Sequence, residues 1–252
     1  MCGTSRQKKA IETGVLELIE RDAFMNAYLG ELDMPIILKS SLPKSIQKRI
    51  RDLQSVGFEV SIIDHSLDLA PVVFVFAQST DLHYTTCASC SSFEVVHATS
   101  HALMEVEASI LHRLQYGKPD EIAPSDVSWP SDHGSLYGQE QFFERANFLA
   151  KSKKIVLFEE IGGDSCRDWN TLVEYLNSNN WKLLVIPLNL SESLGGNGDL
   201  NIVRVIIPGL VQMTFGSDQE PLGMKRIYEI ATKFGNKNIS YTQLNRFPHP
   251  FE

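Results

Sequence analysis

Apolar and polar residues recur along this chain with two different periods, and the longest regular stretch comes first. Over residues 7–29 the spacing predicts a helix: at about 100° per residue, Ile11, Val15, Leu18, Ile19 and Ala23 share one broad apolar face, while Thr13, Glu17, Glu20 and Arg21 cluster opposite. Asp22 projects into the apolar arc, where a carboxylate needs a partner. A short extended piece at 35–39 precedes a helix at 42–55 carried by Ile46, Ile50 and Leu53, with its basic residues outward. Strands are expected at 58–63 and 71–78, the second reading PVVFVFAQ, a continuous apolar run of the kind buried on both faces. A weaker strand at 83–88 leads into a long helix at 93–116 whose core side carries Leu103, Val106 and Ile110. Residues 117–138, rich in Pro, Ser and Asp, read as a surface loop or lid. A helix at 139–150, a strand at 155–158, a helix at 169–178, strands at 181–190 and 201–208 around a turn-rich segment, and a helix at 222–234 complete the pattern. Helices alternating with strands place the chain in the α/β class, a mixed sheet with packed helices.

Composition narrows the partners. The 252 residues are 43% hydrophobic and 21% charged, enough to bury a sizeable core. A formal charge of −8, with no Lys/Arg run interleaved with aromatics, argues against nucleic acid. No apolar run has the length of a membrane span or a signal peptide, so the expected location is the cytoplasm. Four cysteines do not make a disulfide framework.

Several groups of residues carry candidate chemistry. Glu17 and Glu20, three apart on a helix, bring two carboxylates side by side, an arrangement that suits a divalent cation; the plain alternative is a solvated stripe with a Glu17–Arg21 surface pair. Arg204 falls on the same strand face as Ile202 and Ile206, where a buried guanidinium requires an anion, either a structural carboxylate or a phosphate. Arg226 is a weaker candidate for the same role. Cys87 and Cys90 followed by His97 and His101 suggest a zinc site, but the gap between the pairs is too short for a finger, and packing cysteines are expected instead. Gly195, Gly196 and Gly198 lack the Lys-Ser/Thr of a phosphate loop and read as a tight turn.

Four ordered stretches, ETGVLELIERDAFMNAYL (12–29), HATSHALMEVEASILHRL (97–114), NIVRVIIPGLVQMTFG (201–216) and Pro248-His249-Pro250-Phe251, resemble the YcaO-domain family, ATP-dependent enzymes that modify the backbone of ribosomally made peptides. The resemblance implies a YcaO-like domain over 1–252. It further implies that Glu17 and Glu20 coordinate Mg2+, and that Arg21, Glu105 and Arg204 contact ATP. The family's third motif often has a glutamine three residues after its glutamate, where this chain has Ala108. The implied reaction is cyclodehydration of Cys, Ser or Thr in a precursor peptide to azolines; thioamide formation uses the same parts. Relatives carry a further carboxylate-bearing helix upstream, without a counterpart here, so the fold is expected to be N-terminally incomplete. Completion is expected from a homodimer or from a separate chain that carries the N-terminal half, and a partner that binds the leader peptide is a further expectation; otherwise the chain is a non-catalytic interaction module.

Overall fold

The long first helix sets the layout. In the computed structural model, which describes residues 5–188, 202–236 and 239–251, α1 spans Ser5–Leu29. Its amphipathic pattern holds through the first half. From Asp22 to Leu29 every residue is buried, because the helix passes between a sheet, a two-stranded ribbon and a third helix.

The main sheet has five strands: β1 (Ile36–Ile37), β2 (Glu59–Asp64), β3 (Val72–Ser79), β4 (Tyr84–Ser91) and β5 (Ile155–Val156), in the order β4-β3-β2-β1-β5. Strands β2, β3 and β4 form an antiparallel meander; β1 runs antiparallel to β2 and parallel to β5, so the sheet is mixed. Alternation along β3 divides the core. Val73, Val75 and Ala77 face α2 (Lys44–Ser55) and α3 (Val95–Tyr116), whereas Phe74 and Phe76 face α1.

On the α1 side lie α4 (Pro130–Tyr137), the short α5 (Glu140–Phe143), and α7 (Lys225–Lys233); α6 (Trp169–Ser178) occupies the residues its pattern predicts. The antiparallel ribbon of β6 (Leu184–Leu188) and β7 (Ile202–Ile206) closes the remaining flank of α1. Gly14 permits the close approach: a Cβ there would stand 2.8 Å from Val205 Cγ2. The Gly195–Gly198 turn lies outside the described residues. Among the described residues no helix is long and apolar enough to cross a membrane.

Two expectations need correction. The segment read as a polar loop contains α4, with His133, Leu136 and Tyr137 buried. Pro130 begins this helix rather than breaking one, and the Asp132 carboxylate accepts hydrogen bonds from the Ser128 and Trp129 N–H groups at 2.9 and 2.8 Å. The expected helix at 139–150 is helical only through Phe143 and continues as a 3₁₀ segment over Glu144–Ala150.

The Pro-His-Pro-Phe segment, which composition alone would leave as a stiff tail, is docked in the core. The Pro248 carbonyl accepts from the Tyr28 and Tyr137 hydroxyls at 3.1 and 2.9 Å. The His249 ring stacks on His133 with centroids 4.3 Å apart. Gly216 N–H donates to His133 Nε2, which leaves the ring hydrogen on Nδ1 to donate to the His249 carbonyl. Burial pushes the His249 pKa down to about 3, so both rings pack as neutral groups.

Candidate functional site

The face of α1 that carries Lys9, Thr13, Glu17 and Glu20 borders a cleft of about 540 Å³. The end of β4 and the first half of α3 form its other walls, and Phe251 reaches in from the docked C-terminal segment. Helical spacing explains the convergence: Lys9, Thr13, Glu17 and Glu20 stand three or four residues apart, as do His97, His101, Glu105 and Ser109 on α3.

The acids in the cleft differ in circumstance. Glu17 is exposed and pairs with Arg21, its Oε1 2.8 Å from the guanidinium, as the solvated-stripe reading predicts. Glu20 turns inward and accepts the Ser91 N–H at 3.2 Å. Burial dominates its titration and, with repulsion from Glu105 and Glu17, outweighs the Ser91 hydrogen bond and Arg21, raising its pKa to about 8. Glu105, across the cleft, is likewise raised by burial, with His101 pulling the other way from 3.5 Å. The cleft thus holds carboxyls that are short of positive charge.

A metal ion fits this deficit only in company. Among the described residues no three His, Cys, Asp or Glu side chains converge to hold a cation by themselves. Mg2+ ordinarily takes one or two carboxylates and completes its octahedron with phosphate oxygens and water. Glu20 with Glu17 can supply the protein's share, and a bound nucleotide would supply the rest.

Two other sequence candidates lie elsewhere. Arg204, expected to be buried, is exposed, and it does not line the cleft. Val205 packs on Gly14 of α1, so alternation turns Arg204 to the uncovered face of the ribbon, opposite Ile186. The expectation failed because it took the Ile202–Ile206 face of the strand to be the buried one, whereas the opposite face, through Val205, packs on α1. Arg226 answers the demand of Asp22 instead: its Nε lies 2.8 Å from both Asp22 oxygens, and its two terminal nitrogens donate to Asp68 at 3.1 and 2.6 Å. Burial opposes the Arg226 charge, and the two carboxylates more than restore it. Its guanidinium is committed to the fold.

Zinc is disfavoured by strand geometry. Cys87 and Cys90 lie three apart on β4, so their thiols point to opposite faces, one toward the α1 core and the other toward the α3 core. The cleft residues not singled out from the sequence are Lys9 and the Ser91 backbone. Lys9 carried a readable signal in its register with Glu17 and Glu20; the Ser91 amide carried none, because only the pairing of β4 brings it to α1.

The α/β fold is shared with solved heterocyclase structures and their relatives. A heterocyclase in complex with substrate and cofactor superposes with a TM-score of 0.72 at 18% identity, over 99% of this chain and 32% of that one. YcaO from Methanopyrus kandleri bound with AMPPCP and Mg2+ gives 0.57 at 19% identity, over 83% and 54%. The E. coli microcin synthetase McbBCD complex with pro-MccB17 bound gives 0.55 at 16%, over 83% and 53%. At these identities the likeness is one of fold, and the chain spans only about a third of the first of these structures. No curated protein sequence matches it. The family model described as YcaO cyclodehydratase, ATP- and Mg2+-binding, matches residues 2–211, and the chain belongs to the YcaO family.

Proposed function

We propose that the cleft between α1, β4 and α3 binds ATP with Mg2+ and activates a backbone amide of a precursor peptide for cyclisation to an azoline. The observation that carries this reading is the inward Glu20 carboxyl, held in the cleft wall beside Glu17 and facing Glu105, where burial raises its pKa to about 8. Glu17 and Glu20 are assigned to the metal, Arg21 to a phosphate oxygen beside it, and Glu105 to the nucleotide from the opposite wall. In the net reaction a Cys, Ser or Thr side chain gives up its proton as it bonds to the preceding carbonyl carbon, the amide oxygen departs on phosphate, the amide nitrogen releases its hydrogen as the C=N bond forms, and ATP becomes ADP. The nucleotide supplies the phosphoryl group that makes that oxygen a leaving group. The protein's part is to hold the acids, to neutralise charge through Arg21 and Lys9, and to narrow the cleft with Phe251.

Glu20 gives the reading a specific signature. At pH 7 its carboxyl is mostly protonated, so metal binding must release about one proton per site. Calorimetric titration of Mg2+-AMPPCP in buffers of different ionisation enthalpy measures that release. The expected result is binding that requires Mg2+, liberates about one proton at pH 7, and is lost in Glu20→Gln. Absence of binding, or binding without proton release, would overturn the assignment.

A further inference from the structure

On the same side of α3, past Glu105, a second cleft of about 510 Å³ opens toward α4. Ser109 lines both clefts, so they adjoin along one helix face. Their linings differ in charge. The first mixes Glu17, Glu20 and Glu105 with Lys9 and Arg21, whereas none of the residues lining the second is acidic.

Arg113 dominates the second cleft. It is 7% exposed, with one terminal nitrogen donating to the Gly117 carbonyl at 2.9 Å, the other to the Leu82 carbonyl at 3.1 Å, and its guanidinium 5.1 Å over the Tyr84 ring. Among the described residues no carboxylate is found in ion-pair contact with it. A buried guanidinium held by dipoles alone leaves a net positive charge in a low-dielectric wall. His112, its ring tilted against Tyr116 with centroids 4.7 Å apart, and Lys118 border the same space; Lys118 shares its charge with Glu121 at the rim. In a chain of net charge −8 this is a local reversal of sign.

We infer that the second cleft binds a carboxylate side chain of the peptide whose backbone is modified in the first, a reading that rests on the function proposed above. A singly charged peptide carboxylate suits the cleft better than a doubly charged phosphate, because Arg113 supplies one positive charge there and Lys118 already shares its own with Glu121. The helix sets the spacing. From Glu105 to Arg113 is eight residues of α3, about 12 Å of rise, which an extended peptide covers in about four residues. The acidic residue therefore stands about four positions from the one that cyclises.

Fluorescein-labelled Gly/Ser peptides with a single Cys test this, bearing two Asp about four positions before the Cys, two Asp about four positions after it, or Asn at both places. Fluorescence anisotropy with the intact protein and no nucleotide keeps the result independent of Mg2+-ATP binding. One Asp peptide is expected to bind about five- to tenfold more tightly than the Asn peptide, against the overall negative field. Raised salt and Lys118→Glu should each erase the preference, and Arg113→Gln should do so in protein whose melting curve stays cooperative. Lys118 is exposed, so its variant keeps the test valid should Arg113→Gln fail to fold. Equal affinities, a preference that survives Lys118→Glu, or displacement of the Asp peptide by inorganic phosphate at lower concentration than by free aspartate would each overturn the inference. Loss of Mg2+-AMPPCP binding with the Asp preference intact would instead remove the proposed function and leave this cleft as a peptide site.

Discussion

Strands β3 and β7 look alike as sequence and differ in what covers them. Both are short apolar runs, VVFVFAQS and IVRVI, yet Val72, Val73, Phe74 and Val75 are fully buried while β7 and its partner β6 leave Leu184, Ile186 and Leu188 more than two-fifths exposed. β3 lies mid-sheet with helices on both faces; the ribbon has α1 on one side only. An apolar run states what a strand tolerates. The other layers decide what it buries, and those are set by residues far away in sequence.

The sharpest break in this comparison is expected at Phe74, where truncation to Ala in the middle of β3 should cost about 3–5 kcal/mol by denaturant unfolding. Asp22→Ala should follow at about 3 kcal/mol, because it strands part of the Arg226 charge and releases the Val211 N–H that ties the chain leaving β7 to α1. In that variant the ribbon amides should exchange hydrogen faster than those of the main sheet; equal protection would mean the ribbon is held by something else.

Glu20 separates covered from uncovered polar groups by pH. Its folded pKa, about 8, lies above the unfolded carboxyl value, so the folded state binds the extra proton and stability falls as pH rises from about 4.5 through 8. Melting temperatures between pH 6 and 8.5 should decline less in Glu20→Gln than in the original, and parallel slopes would show the carboxyl to be better hydrated than it looks. The smallest effects belong to the uncovered face: Ile186→Ser and Arg204→Ala should each change stability by less than about 0.5 kcal/mol. A loss above about 2 kcal/mol at either position would mean that this face is covered in solution.

The sequence was most legible where local and global demands agree. The extent of α1, the ends of α6 and the need of Asp22 for a partner all followed from periodicity and charge, since each depends on one face of one helix. Glu17, Glu20 and Arg21 were singled out by helical spacing and Glu105 by the motif resemblance, and the fold brings all four to one cleft. The misses share a cause. Pro130 as a helix start, Arg204 on an open face and the burial of His249 depend on which element packs where, and composition cannot supply that. The basic character of the second cleft was hidden for the same reason, because Arg113 looks like any other basic residue near the end of a helix until its surroundings are known.

The contact between Tyr28 and the Pro248 carbonyl spans 220 residues. At a ribosomal pace of about 5–20 residues per second, α1 is complete roughly 10–40 s before the segment that packs against Phe24 and Tyr28 is made. Throughout that interval the aromatic half of the helix has no native cover on that side. A nascent chain stalled before Pro248 is therefore expected to expose this half of the helix, and limited proteolysis of such a stalled form should cut within α1.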